Sequence, residues 1–273
     1  MSIKLVTKGK IAETSSKGNQ EKWCEDGKWY KLDQFGYEAL AEVFVSKILE
    51  CVSIDPSGFL GSRVAYEIEK VTVGGRERVC CSSKNFLQEG ESIITLNRLL
   101  TLHLGYPLTA ELESLSSDKK RIQFIAEKTK DVTGLKNFPQ YLTLLFEIDG
   151  LVLNDDRHLN NIAVIEKNGK YRYCPIFDNG AAVLSDVISA RLDVEPKSFI
   201  SNAVARPFNT TFNRQIKSAQ SLYGRQIGSI NITTDKMNEV LDDLLLFYPE
   251  RDRELIRKRV ITTILTRMKA MEG

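Results

Sequence analysis

Two polar segments, each joined to a short apolar run, constrain this chain more than any other feature. The first, Asn154–Asn161, reads NDDRHLNN and leads into the apolar residues 162–165. Further along, the apolar run 173–177 leads into Asp178-Asn179-Gly180. If the two apolar runs pair as strands, the end of the first polar segment lies close to Asp178. We therefore predict a hairpin with amide and carboxylate groups gathered at its base.

The spacing within these segments is typical of phosphoryl-transfer sites. Protein kinases use the pattern Asp-x-x-x-x-Asn for a catalytic Asp and a metal-binding Asn, and a second metal-binding Asp follows on the next hairpin. Asp156 and Asn161 have this spacing, and Asp178 lies at the place of the second metal ligand. Asp155 and Asn160 have the same spacing, so the interval alone leaves two registers. The structural alternative is a turn rich in Asn and Asp that satisfies only its own backbone.

The sequence DRHLNN (Asp156–Asn161), followed by a strand and by FDNG (177–180), resembles the HipA-like kinases, which are bacterial atypical Ser/Thr protein kinases. It is similar, more distantly, to the catalytic loop of the phosphatidylinositol kinases. The resemblance favours the register with Asp156 and Asn161, because Asn161 then directly precedes the strand.

The resemblance implies a role for each of these residues. Asp156 is expected to accept or orient the proton of the acceptor hydroxyl, and Asn161 and Asp178 to hold Mg²⁺ through hard oxygen ligands. His158 follows the catalytic Asp, whereas in eukaryotic kinases the corresponding His precedes the catalytic Asp. We count His158 among the catalytic residues and expect it to hold the loop in shape. Asn179 stands where eukaryotic kinases carry Phe.

A kinase site also requires a Lys on a strand and a Glu on the following helix. Lys31 lies on one arm of a hairpin that Asp26-Gly27 predicts. The next helix offers Glu38 and Glu42, which lie one turn apart on the same face. We expect Lys31 to neutralise the nucleotide phosphates and Glu38 to orient it, with Glu42 as the alternative partner. A solvated edge residue is the alternative interpretation of Lys31.

The polar loop Thr14–Gln20 precedes this hairpin and contains a single glycine, Gly18. Its backbone N–H groups, the hydroxyls of Ser15 and Ser16 and the Lys17 ammonium group are expected to cradle the nucleotide phosphates. HipA-like kinases often autophosphorylate a Ser in this loop, so the resemblance implies Ser15 or Ser16 as such a site. A phosphate there would add negative charge where the nucleotide binds and should inhibit the enzyme. A plain surface loop is the alternative.

Hydrophobic periodicity predicts an α+β protein with two kinase-like lobes. Residues 1–85 are expected to form a small antiparallel sheet with one helix, from Tyr37 to Glu50. Residues 86–273 are expected to be mainly helical and to carry the catalytic loop, with the hinge near Ser82–Leu87. Asp149-Gly150 is expected to end the helix before that loop. The helices predicted in this part, with residues 198–229 left as a loop or short helices, are Ile93–Leu104, Asp118–Lys130, Phe138–Ile148, Thr234–Phe247 and Asp252–Met271.

Composition excludes several classes of protein. With 42% hydrophobic and 27% charged residues and a net charge of +2, the chain shows no sign of direct nucleic-acid binding or of attraction to an anionic membrane. No apolar stretch approaches the ~20 residues that span a bilayer, and the N-terminus lacks the apolar core of a signal peptide. Five cysteines without a CxxC pair and two histidines argue against a zinc site or a disulfide framework. We expect a cytoplasmic protein.

The leading hypothesis is therefore an ATP- and Mg²⁺-dependent Ser/Thr protein kinase of the HipA-like type that is capable of autophosphorylation. In length it resembles a kinase core without the N-terminal extra domain of full-length HipA proteins. Its expected partners are a protein substrate and an antitoxin-type protein. The alternatives are a kinase for a small-molecule or lipid hydroxyl group and a nucleotide-binding pseudokinase that acts as a regulatory module.

Overall fold

The computed structural model describes residues 4–6, 20–54 and 62–272, and the first part of the chain forms a sheet. Within these residues the sheet has the strand order β1-β5-β6-β3-β2, and its neighbours are antiparallel except for β1 and β5. A single helix, α1, follows β3 and packs against the sheet. The elements are β1 (Lys4–Val6), β2 (Lys22–Glu25), β3 (Lys28–Leu32), α1 (Glu38–Ile48), β5 (Glu67–Val73) and β6 (Arg76–Lys84).

The β2–β3 hairpin separates an apolar face from a charged one. Its turn residues Asp26 and Gly27 have φ values of 51° and 73°, as the twist-matched two-residue hairpin turn requires. Trp23 and Tyr30 lie opposite each other, are buried, and stack with ring centroids 4.9 Å apart. Because side chains alternate along a strand, Lys31 lies on the other face, which is the face turned toward α1 and the rest of the site.

The second part of the chain is mainly helical. Its helix α5 is buried along its whole length and packs against α4, α7 and α9. Two small sheets complete this part, one in the order β7-β8-β9 and the other pairing β4 with β10. The elements are β4 (Val52–Ile54), β7 (Ser92–Thr95), α2 (Leu96–Leu104), α3 (Leu108–Ser114), α4 (Asp118–Thr133), α5 (Phe138–Val152), β8 (Ala163–Lys167), β9 (Lys170–Tyr173), α6 (Pro196–Asn202), α7 (Phe212–Tyr223), β10 (Ile227–Ile230), α8 (Thr234–Leu245) and α9 (Glu250–Glu272).

The α+β architecture predicted from the sequence is confirmed, with an antiparallel sheet region followed by a helical region. The β8–β9 hairpin is antiparallel, as the two apolar runs predict. Within the described residues no helix is both long and apolar enough to cross a membrane. The division of the chain at residue 85 stays a prediction, and β6 ends at Lys84 beside it.

Several predicted helix boundaries differ from the structure, and for two of them the physical reason is clear. The helix predicted from Ile93 begins only at Leu96, because residues 92–95 pair with β8 as a strand and the Thr95 hydroxyl caps the helix by accepting the Arg98 N–H. The helix predicted to end at Asp149-Gly150 continues to Val152. A Cβ at Gly150 would lie 2.3 Å from the end of the Ile216 side chain, which would have to shift to admit any other residue.

Candidate active site

The centre of the candidate site is an ion-pair cluster built from three separate segments. The Lys31 ammonium group on β3 donates to Glu42 Oε1 at 2.6 Å and to Asp178 Oδ1 at 2.7 Å. Glu42 lies one turn inside α1 and its side chain is fully buried, whereas those of Lys31 and Asp178 are 14% and 28% exposed. The cluster thus joins the sheet, the helix and the end of the β8–β9 hairpin.

The charges of this cluster stabilise one another. Burial opposes the charged form of Lys31, but the carboxylates of Asp178 and Glu42 outweigh it and raise the pKa of the ammonium group well above its usual value. Burial likewise opposes ionisation of Asp178, but the Lys31 ammonium group outweighs it and lowers the pKa of Asp178 to about 2. Asp178 is therefore an anion and Lys31 a cation at neutral pH, as phosphate and metal binding require.

The predicted pairing of Lys31 with Glu38 is wrong. Glu38 is the first residue of α1, and its carboxylate bends back to accept the backbone N–H groups of residues 34–36 at 2.6–3.3 Å. A carboxylate in this position satisfies the turn that leads into the helix. Glu42, the alternative partner, reaches Lys31 instead. It also accepts the Asn179 N–H at 2.8 Å, which ties α1 to the triplet that contains Asp178.

A buried arginine holds the loop that carries the candidate catalytic residues. Arg157 is 1% exposed and forms an ion pair with Asp149 on α5, with an N–O distance of 3.0 Å. It also donates to the carbonyl groups of Phe177 at 2.7 Å and Asn161 at 3.1 Å, and to Asn179 Oδ1 at 2.9 Å. Because one guanidinium group binds both polar segments, Asn161 and the Asp178 triplet lie at the same end of the hairpin.

Asp156 directly precedes Arg157 in this loop, and its side chain is 57% exposed. The Asn161 amide nitrogen donates to the Asp156 carbonyl at 2.9 Å, and His158 Nε2 lies 3.8 Å from Asp156 Oδ1. The His158 ring also accepts the Asn160 N–H at 3.2 Å, a contact within the loop. The role of His158 stays a prediction. An acceptor hydroxyl can therefore approach Asp156 from solvent.

The oxygen groups at the hairpin end fit Mg²⁺ better than a transition metal. Among the described residues, no three His, Cys, Asp or Glu side chains cluster as a metal site would need. Mg²⁺ is commonly held by one or two protein oxygens together with waters and substrate phosphates. Asp178 supplies a carboxylate, and Asn161 keeps its side-chain oxygen because the loop uses its amide nitrogen.

Lys22 is a candidate phosphate-binding residue that none of the sequence motifs predicts. It lies directly opposite Lys31 in the β2–β3 register, so both side chains share one face of the hairpin. Burial lowers the pKa of Lys22, while the Asp178 carboxylate acts in the opposite direction, which places its ammonium group within electrostatic range of the cluster. The two-residue turn at Asp26-Gly27 sets this register, so the sequence alone indicates that Lys22 and Lys31 lie opposite each other.

The loop residues predicted to cradle phosphates, Ser15, Ser16, Lys17 and Gly18, lie outside the described residues. Their role stays a prediction. Asp155 and Asn160, the alternative register, are both exposed, and neither takes part in the hydrogen bonds that link Arg157 to the hairpin.

Comparison with known proteins gives matches among solved structures only, since no protein-family model and no curated protein sequence matches the chain. The fold is similar to that of the proinflammatory kinase CtkA of Helicobacter pylori, with a TM-score of 0.58 and 14% sequence identity over 94% of this chain and 93% of that one. HipA of Shewanella oneidensis MR-1, solved with HipB and operator DNA, gives a TM-score of 0.47 and 12% identity over 94% of this chain and 65% of that one.

The similarity to CtkA extends over nearly the whole of both chains. The resemblance that the catalytic-loop sequence predicts is therefore confirmed at the level of the fold. The chain therefore has a fold similar to that of the kinase CtkA.

Proposed function

We propose that this protein is a kinase that uses ATP and Mg²⁺ to phosphorylate serine or threonine side chains of a protein substrate. The observation that carries the proposal is the ion-pair cluster, in which Lys31 bridges Glu42 and Asp178 beside the exposed carboxylate of Asp156. Phosphoryl transfer depends mainly on positioning and on neutralising charge, and this arrangement serves both.

Each residue of the site has a defined task in this proposal. Lys31, oriented by Glu42, and Lys22 neutralise the phosphates of the nucleotide. Asp178 and Asn161 hold Mg²⁺, which when bound neutralises the charge that develops on the phosphate oxygens. Asp156 accepts or orients the hydroxyl proton of the acceptor, and its exposure leaves room for that acceptor. Ser15 or Ser16 is the proposed site of autophosphorylation.

The nature of the acceptor and of the partners belongs to the proposal as well. A protein acceptor is favoured by the resemblance to Ser/Thr kinases, and a small-molecule hydroxyl group is the alternative. An antitoxin-type partner is carried over from the same resemblance, and a cytoplasmic location from the cysteines, which form no CxxC pair. A pseudokinase is disfavoured because the Lys, Glu, Asp and Asn groups that catalysis needs are all present.

The proposal is tested by incubating the purified protein with γ-labelled ATP and Mg²⁺, alone and with a cell lysate as a source of acceptors. We expect label on the protein or on a lysate protein, and mass spectrometry to locate it on Ser or Thr. Asp156→Asn should lower the rate by about 100-fold or more, since it removes the proton acceptor. Asp178→Asn should abolish transfer because it removes the only carboxylate of the proposed Mg²⁺ site.

The matched control is Asp155→Asn, which removes the neighbouring exposed carboxylate and should leave the rate nearly unchanged. Circular dichroism checks that each variant is folded. Equal activity in wild type, Asp156→Asn and Asp178→Asn would contradict the proposal, as would a folded wild-type protein that binds no Mg·ATP. Tight Mg·ATP binding without transfer to any acceptor would favour the pseudokinase.

A further inference from the structure

We propose that Tyr66 is a positioning residue for Lys31, with its aromatic ring holding the ammonium group between Glu42 and Asp178. The inference rests on the proposed function for its effect on catalysis, but the contact itself is a feature of the fold. Lys31 Nζ lies 5.6 Å from the centroid of the Tyr66 ring, and Tyr66 is only 7% exposed. A cation over the face of a buried aromatic ring is attracted by the ring's negative face.

Among the described residues, the Lys31 ammonium group has hydrogen bonds to two carboxylates, and the Tyr66 ring lies on a further side of it. A lysine ammonium group has three N–H donors, and two of those on Lys31 point to the carboxylates. These carboxylates lie on different elements, so the ammonium group could follow either one if the rest of its surroundings were open. A long lysine side chain has much rotamer freedom to lose, and a ring on the remaining side restricts it without competing for a hydrogen bond.

The position of Tyr66 is itself fixed by the two elements that carry the carboxylates. Just before Tyr66, residues 62–64 form a bridge to Ile176, two residues before Asp178, since Val64 N–H donates to the Ile176 carbonyl at 2.9 Å and Ile176 N–H to the Ser62 carbonyl at 2.8 Å. In the same segment, the Arg63 Nε donates to the Ser46 carbonyl of α1 at 2.9 Å. The ring, Glu42 and Asp178 are therefore held in one hydrogen-bonded unit around Lys31.

Two substitutions separate the ring from the rest of the side chain. Tyr66→Phe keeps the ring and should have a kcat/KM for ATP close to that of the wild type. Tyr66→Leu keeps an apolar, buried side chain but removes the ring face, and should lower kcat/KM for ATP roughly three- to tenfold. Tyr30→Leu is the matched control, because Tyr30 is equally buried but lies on the opposite face of the β2–β3 hairpin. It should lower the melting temperature and leave kcat/KM for ATP unchanged.

Crystal structures of Tyr66→Phe and Tyr66→Leu give a second readout that does not depend on activity. We expect Lys31 Nζ to keep hydrogen bonds to both carboxylates in Tyr66→Phe and to lose at least one in Tyr66→Leu. The proposal is overturned if Lys31 keeps both bonds in Tyr66→Leu, or if the Phe variant is impaired as much as the Leu variant. A wild-type protein that neither binds Mg·ATP nor transfers phosphate would refute the proposed function, and the Lys31 geometry would still decide the role of Tyr66.

Discussion

Glu38 and Glu42 show how one turn of a helix separates two roles for the same residue type. Glu38 stands at the beginning of α1, where free N–H groups of the preceding turn need an acceptor, and its carboxylate satisfies them. Glu42 is fully buried, and its charge is balanced by Lys31 and the Asn179 N–H. Burying a carboxylate without such partners costs free energy, so the charged form of Glu42 requires Lys31, and Lys31 in turn is oriented by Glu42.

The matched pair Glu42→Gln and Glu38→Gln tests this division of roles. Glu42→Gln removes the charge that orients Lys31, and we expect the rate of phosphoryl transfer to fall about tenfold or more, which corresponds to about 1.4 kcal/mol of lost transition-state stabilisation. Glu38→Gln keeps an oxygen that accepts the N–H groups and should stay close to wild-type activity. The rates come from a labelled-ATP assay under saturating Mg²⁺. A larger loss in Glu38→Gln than in Glu42→Gln would contradict the assignment.

The sequence predicts residue types at this site better than it predicts their partners. The spacing of Asp156, Asn161 and Asp178 follows from a local motif, and the structure gathers their segments around Arg157. Choosing Glu42 over Glu38 requires the rotation of α1 about its axis, which depends on packing from both sides of the helix. Such tertiary information is absent from a local pattern.

At the scale of elements, the catalytic loop depends on α5 for its shape. The helix continues past the expected stop at Gly150, and this extension places Asp149 under the loop, where it pairs with Arg157. Asn154, just after the helix, adds a hydrogen bond from its amide to Asp149 Oδ1 at 3.0 Å and another to the Asp178 carbonyl at 3.3 Å. Gly150 suggests a helix break in the sequence, but a single glycine is tolerated inside a helix, and the close packing of Ile216 favours a small residue at this position.

We expect Asp149→Ala to lower the free energy of unfolding by about 3–5 kcal/mol, because it leaves the buried guanidinium group of Arg157 without its counter-ion. The control is Asp155→Ala, which removes an exposed carboxylate from the same loop and should change the stability by about 0.5 kcal/mol or less. Urea denaturation followed by circular dichroism measures both. Equal stability of the two variants would show that the buried pair does not hold the loop.

At the scale of the whole molecule, the connection between the last two helices is hydrogen-bonded to the beginning of α1 and the residues before it. The Tyr248 hydroxyl, in the connection between α8 and α9, donates to Asp33 Oδ2 at 2.7 Å and accepts the Leu40 N–H at 3.3 Å. Asp33 Oδ1 in turn accepts the Ala39 N–H at 2.6 Å. Because α1 also carries Glu42, the C-terminal helices support the site directly, and the sheet and helical regions are expected to unfold together.

Tyr248→Phe removes both hydrogen bonds with little change in volume, and it should lower the free energy of unfolding by about 1–3 kcal/mol. Both tryptophans of the chain, Trp23 and Trp29, lie in the β2–β3 hairpin, so their fluorescence reports on the sheet, whereas far-ultraviolet circular dichroism reports mainly on the helices. If the two regions unfold as one unit, urea transitions from both signals coincide in the wild type and move together in the variant. Tyr106→Phe, which removes only a surface hydrogen bond from the Tyr106 hydroxyl to Glu111, is the control and should leave both transitions nearly in place. A shift of the dichroism transition alone would show that the helical region unfolds independently and that the bonds to Asp33 and Leu40 do not couple it to the sheet.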